Sequence, residues 1–183
     1  MSVKATVDET QKYTRIAMLL HWLTVVLVVA SFTLGWSMVD LPTGPRRGEL
    51  FALHKAIGIS VFLLTAWRLG WRLTHRAPPL SSALPAWQRS LVKTVHWLFY
   101  ALLFTQPLLG YLSSAFSAYP THYLGLTLPT WATPNPALNE LFSELHAAGA
   151  VGLLATIAAH LLGVLSHLAR RGDRLVRRML PWS

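Results

Sequence analysis

The chain has 183 residues, of which 53% are hydrophobic and only 13% are charged. That charged fraction is about half of what an average soluble domain carries, which excludes an ordinary cytosolic protein and favours a small integral membrane protein. The sequence contains no cysteine. This excludes disulfides, thiolate-held iron–sulfur clusters and haem attached through a C-x-x-C-H motif, so any metal must be held by histidine, methionine or carboxylate.

Four apolar stretches of bilayer-spanning length predict an all-α, integral membrane four-helix bundle that forms one domain over residues 1–183. The predicted spans are 16–38, 50–73, 91–114 and 145–169. The first is too long for a signal-peptide core and is not followed by a cleavage site, so we interpret it as a retained span. Residues 40–49 and 74–89 are rich in proline and charge and predict loops. Residues 115–143 contain four prolines and several aromatic residues and predict an interfacial loop with short helical pieces.

The lysines and arginines predict the orientation in the membrane. If the N-terminus is cytoplasmic, thirteen of the sixteen cations fall on the cytoplasmic side, and only Arg46, Arg47 and Lys55 fall on the other. This bias is a strong positive-inside signal, and it places both termini in the cytoplasm. The cations on the cytoplasmic side are expected to contact the anionic lipid bilayer. This contact explains the net charge of +9, and no nucleic-acid partner is needed.

The last span carries two histidines, His146 and His160, in a segment otherwise made of apolar and small residues. Their fourteen-residue separation corresponds to about 21 Å of helix axis and to nearly the same helix face. Ionisable residues at membrane depth are candidates for function. Two imidazoles at two depths therefore suggest ligands of two separate metal centres.

Depth along the other spans predicts the partners of these two histidines. His54 in the second span lies at the depth of His146, near the non-cytoplasmic face. At the depth of His160 there are two candidates, His21 and His96, and depth alone does not choose between them. Structural zinc needs four close ligands, whereas pairs of imidazoles complete the coordination of a haem iron, so we favour haem. The alternative for any single histidine is a polar side chain bonded to a neighbouring helix.

Short motifs along the whole chain resemble the bacterial cytochrome b561 family. They are Leu20-His21-Trp22, Leu53 to Gly58 (LHKAIG), Arg68 to Arg72 (RLGWR), Val95-His96-Trp97, Gln106 to Gly110 (QPLLG), Leu124 to Pro129 (LGLTLP) and Leu145-His146 with His160. The resemblance implies a multi-pass protein of the bacterial inner membrane with two haem b groups. It implies that His21 and His160 hold the inner haem and that His54 and His146 hold the outer one. His96 is not made a ligand by the resemblance; it is a candidate for contact with a haem propionate or a quinone.

With both axial positions filled by protein, neither iron would be open to bind oxygen, which points to electron transfer. The resemblance implies ubiquinone as one partner and, for some members, superoxide as the other, which is the activity of a superoxide:ubiquinone oxidoreductase. Superoxide is an anion, so Arg46, Arg47 and Lys55 are candidates for steering it. The alternative function is an electron-transfer membrane subunit that links a dehydrogenase or another protein donor to the quinone pool. Arg68 and Arg72 are candidates for holding haem propionates, or for anchoring their helix at the headgroups.

Overall fold

The computed structural model describes residues 11–80, 84–171 and 178–180. Most of these residues belong to four long helices: α1 (Arg15–Val39), α2 (Pro45–Thr74), α3 (Ala86–Ala115) and α4 (Pro136–Arg171). By length and composition each helix is able to cross a membrane. The predicted membrane four-helix bundle is confirmed.

The helices are longer than the apolar stretches that predicted them, because a helix ends where its backbone is capped and not where its hydrophobicity ends. The hydroxyl of Thr14 accepts a hydrogen bond from the Ala17 amide at 3.2 Å and caps α1. Pro45 opens α2 at the first helical position, which proline favours. The expectation of a loop over 40–49 was therefore wrong for its second half, and α4 begins nine residues before the predicted span.

A short β-hairpin lies between α3 and α4, where short helical pieces were expected. Strand β1 (His122–Tyr123) pairs antiparallel with β2 (Leu126–Thr127). The two turn residues, Leu124 and Gly125, both have positive φ, 50° and 81°, as in the tight turns whose twist matches a hairpin. The hairpin packs against α2, where the Tyr123 and Ser60 hydroxyls lie 3.3 Å apart.

The helices form an open arc in which each one packs against its neighbour in sequence. Among the described residues, no Cα atom of α4 lies within 8 Å of a Cα atom of α1 or α2. The shared core, built on Val61, Leu103 and Leu153, lies near the middle of the bundle. The backbone of α4 is therefore set apart from those of α1 and α2, and side chains, including those of the shared core, fill part of the space between them.

Large apolar side chains cover the outside of the bundle. Leu19, Val26 and Leu162 are each more than 60% exposed, and many similar residues surround them. An apolar surface of this extent is unfavourable in water and is the surface expected against lipid tails. The chain is thus a multi-pass membrane protein.

The two ends of the bundle differ. The first, called the termini end, joins the start of α1, residues 75–80 and residues 178–180. Here the buried Arg178 donates to the carbonyls of Gln11 and Pro79, at 2.8 and 3.2 Å, and the Trp22 indole donates to the Met179 carbonyl at 2.8 Å. The opposite end, called the hairpin end, carries the β-hairpin, the start of α2 and the start of α4.

Candidate functional site

Two imidazoles meet near the hairpin end, one from α2 and one from α4. The ring centroids of His54 and His146 are 6.1 Å apart and their planes make an angle of 88°. The Nδ1 of His54 lies 3.0 Å from the Ser31 carbonyl, and that of His146 lies 2.9 Å from the Gln106 carbonyl. A carbonyl only accepts, so each Nδ1 carries the proton and donates it. Each Nε2 of the neutral ring is then left with a lone pair for a metal.

The separation of the two rings fits opposite axial positions of one iron. A metal–imidazole bond is about 2.0–2.1 Å long, so two imidazoles bound from opposite sides have centroids about 6 Å apart. The observed 6.1 Å agrees with this value. The backbones of α2 and α4 stay more than 8 Å apart among the described residues, so the two helices do not block a flat macrocycle between the rings. The residues present therefore fit a haem.

Glycines on α1 and α3 leave the space that the two rings occupy. A Cβ atom at Gly110 would lie 3.0 Å from the Cε1 atom of His146, closer than side chains normally approach. A Cβ atom at Gly35 would lie 3.5 Å from the Cε1 atom of His54, an ordinary contact. A side chain at residue 110 would thus displace the His146 ring, whereas one at residue 35 would only touch the His54 ring.

Three imidazoles and an arginine come together nearer the termini end. The rings of His96 and His160 are 5.6 Å apart at 89°, and the His96 Nδ1 donates to the Val92 carbonyl at 2.6 Å. His21 lies within electrostatic range of both rings and of Arg68. The His21 Nδ1 is buried and has no hydrogen-bond partner within the described part of the chain. The structure thus has histidines at two levels. The level nearer the termini end contains His21, His96 and His160, the three residues considered as ligands there.

A cationic pocket of about 140 Å³ opens beside this second cluster and includes Arg68, Arg72, His96 and Tyr100 in its wall. The guanidinium carbons of Arg68 and Arg72 lie 5.8 and 5.7 Å from the centroid of the Tyr100 ring. Both arginines are half-buried, and neither is paired with a carboxylate of the described residues. Half-buried cations of this kind favour an anionic group as partner.

Arg46, Arg47 and Lys55 are the three cations predicted on the non-cytoplasmic side of the membrane. All three lie in the first three turns of α2, at the hairpin end. Arg46 makes an exposed ion pair with Glu49 at 3.5 Å. The guanidinium of Arg47 lies 5.5 Å from the centre of the Phe51 ring. Lys55 is half-buried and follows His54 directly. Arg46 is therefore partly neutralised, whereas neither Arg47 nor Lys55 forms a salt bridge with a carboxylate of the described residues.

Sequence reasoning missed Gln106 as part of the site. Gln106 is buried, 8% exposed, and contacts His146 through both its backbone and its side chain. The available signal was a glutamine within an apolar span, directly before Pro107. The Ser31 carbonyl was also missed, and a backbone group leaves no signal in the residue type.

A membrane bundle that presents pairs of imidazoles at two depths has the architecture of a b-type cytochrome. The sequence matches the prokaryotic cytochrome b561 family over residues 12–182, and the chain belongs to this family. It is 27% identical over 175 residues to cytochrome b561 homolog 1 of Escherichia coli, an alignment that covers 93% of this chain and 97% of the relative. It is 29% identical over 173 residues to cytochrome b561 homolog 2 of the same organism, with coverage of 93% and 92%. Family membership implies haem b binding and membrane electron transfer.

Proposed function

We propose that this protein is a di-haem cytochrome that passes electrons across the bacterial inner membrane to ubiquinone, and that its electron donor is superoxide. The observation that carries the proposal is the presence of imidazole groups at two levels, fourteen residues apart along α4. With the termini end in the cytoplasm, the outer level lies toward the periplasm and the inner level toward the cytoplasm.

At the outer level, His54 and His146 would hold the haem. At the inner level we assign His21 and His160, because the backbones of α1 and α4 are more than 8 Å apart among the described residues and leave more room for a macrocycle. Helices α3 and α4 pack directly together, which leaves less room for a macrocycle between His96 and His160. The 5.6 Å separation of the His96 and His160 rings makes His96 the competing ligand.

The histidine pairs would each hold a haem b, which would supply reversible one-electron storage. The chain supplies the apolar walls that exclude water from both levels, the carbonyls that fix the tautomers of His54 and His146, and the surface charges. Arg47 and Lys55 raise the local concentration of an anionic donor at the outer face. Arg68 and Arg72 face the inner level and would hold its propionates.

The proposed reaction balances as an oxidation of superoxide by quinone. Two superoxide anions each lose one electron and become two molecules of O₂. One ubiquinone gains those two electrons and takes up two protons from water to become ubiquinol. No other oxidant or reductant is required.

The test is the reduction of purified, haem-loaded protein by a superoxide-generating system, followed as the appearance of the reduced α-band. We expect rapid reduction that superoxide dismutase suppresses, followed by reoxidation when a short-chain ubiquinone is added. Reduction that dismutase leaves unchanged, or that is slower than spontaneous dismutation permits, would contradict superoxide as the donor.

A second candidate function is transfer of electrons from a protein donor to quinone. The exposed hairpin supports it, since Leu124 at the hairpin tip is 83% exposed and offers an apolar surface to a partner. Co-purification of a dehydrogenase from the native membrane, combined with reduction by that partner and not by superoxide, would establish this function in place of the first.

Replacing Arg68 by glutamine is expected to lower the midpoint potential of the inner haem by roughly 30–80 mV. Reduction adds a negative charge, which the nearby half-buried cation stabilises. The measurement is a potentiometric titration followed by absorbance. The matched control is Lys12→Gln, which removes an exposed cation from the same pocket and is expected to change neither potential appreciably. Equal shifts in the two variants would show that Arg68 has no special role.

A further inference from the structure

Gln106 of α3 holds His146 of α4 by two hydrogen bonds. The Gln106 carbonyl accepts from the His146 Nδ1 at 2.9 Å, and the Gln106 side-chain amide donates to the His146 carbonyl at 2.6 Å. One residue thus contacts both the ring and the backbone of the proposed ligand. Its partner His54 has one such contact, to the Ser31 carbonyl.

The choice of glutamine at this position is not explained by packing. Its Oε1 atom is buried and has no hydrogen-bond partner among the residues described, which is unfavourable for an acceptor. A leucine would fill a similar volume without that cost. The contact to His146 gives a reason for an amide side chain here.

Gly149, one turn beyond His146 on α4, leaves the space that the Gln106 side chain needs. A Cβ atom at residue 149 would collide with Oε1 of Gln106. Gly110, one turn beyond Gln106 on α3, leaves room for the His146 ring in the same way. The two glycines thus let α3 and α4 come close enough for both hydrogen bonds to form.

We propose that Gln106 is the positioning residue that holds the His146 ring perpendicular to the His54 ring. This inference rests on the proposed function, because it requires that His146 binds a haem. The His146 ring donates to the backbone carbonyl of Gln106, and the Gln106 side-chain amide ties that residue to the α4 backbone at His146, so the ring keeps its plane only while both bonds hold. With these hydrogen bonds in place, the planes of the two rings make an angle of 88°.

The angle between axial imidazole planes has a direct spectroscopic consequence. A low-spin ferric haem with perpendicular imidazoles gives a highly anisotropic electron paramagnetic resonance (EPR) signal with one large g value. Parallel imidazoles give a rhombic signal with a smaller maximal g value. The outer haem should therefore report the orientation of His146, independently of any activity.

The experiment compares the EPR spectra of oxidised, haem-loaded wild type, Gln106→Leu, Gly149→Ala and Gly152→Ala. Both variants keep the backbone carbonyl that accepts from the ring. Gln106→Leu removes the amide that ties this carbonyl to the α4 backbone, and Gly149→Ala displaces that amide while keeping the glutamine. Gly152→Ala is the matched control on the same helix, because its Cβ would meet only Leu102, at an ordinary 3.9 Å. The rate of haem transfer to apomyoglobin is measured on the same samples.

We expect wild type and Gly152→Ala to share the large-g feature of the outer haem. In Gln106→Leu and Gly149→Ala this feature should move to a smaller g value and one haem should be lost roughly tenfold faster, while the inner haem is unchanged. If Gln106→Leu accumulates poorly, Gly149→Ala gives the same readout. An unchanged outer signal in the accumulating variants, or equal changes at both haems, would overturn the positioning role. A wild type with one haem or none would instead contradict the proposed function.

Discussion

Replacing His146 by alanine is expected to reduce the haem content from two per chain to one. His54 alone would be left to hold the outer haem, and a single imidazole at a site built for two gives weak binding. The same loss is expected for His54→Ala, because the two rings face each other at 6.1 Å. The measurement is the pyridine haemochrome assay, with haem expressed per mole of purified protein.

The same assay on His21→Ala, His96→Ala and His160→Ala decides the inner ligands. We expect one haem in His21→Ala and His160→Ala, and two in His96→Ala. His122→Ala in the exposed hairpin is the control and should keep both haems. If His96→Ala loses a haem and His21→Ala does not, the inner pair is His96 with His160.

Reversing the charge of Arg47 is the second change with a large expected effect. Arg47→Glu should lower the rate of superoxide-dependent reduction by roughly three- to tenfold at low ionic strength, because it repels the anionic donor from the outer face. Arg46→Glu should have a smaller effect, since Arg46 is already paired with Glu49 at 3.5 Å. The rate is measured by stopped-flow with a superoxide source.

The dependence on salt separates steering from damage to the fold. Raising the ionic strength to about 1 M shortens the screening length to about 3 Å and should bring the rates of Arg47→Glu and wild type together. Arg76→Glu makes the same change at the termini end and should leave the rate unchanged. A loss in Arg47→Glu that persists at high salt would argue against electrostatic steering.

The outer histidine pair was predictable from the sequence because helix rise is constant. Counting residues from the ends of two spans places His54 and His146 at one depth, and the structure brings their rings together. The inner level was not fully predictable, since His21 and His96 lie at similar depths. Depth gives the level of a residue but not its direction around the helix axis. The structure adds that direction, and it places His96 against His160.

The ends of the helices and the connection between α3 and α4 were less predictable. Apolar runs mark the part of a helix inside the bilayer, but Pro45 and Pro136 open helices outside those runs. The hairpin depends on a turn at Leu124 and Gly125, and a leucine with positive φ is not expected from its residue type. The Gln106 contact depends on how α3 and α4 pack, which no local pattern encodes.

The most direct test of two haems held by imidazole pairs at two levels is the low-temperature EPR spectrum of the oxidised wild type, recorded with the haem-to-protein ratio. The expected result is two haems per chain and two low-spin ferric signals. A single low-spin species, or a substantial high-spin signal from an iron with an open axial position, would contradict the paired-histidine arrangement.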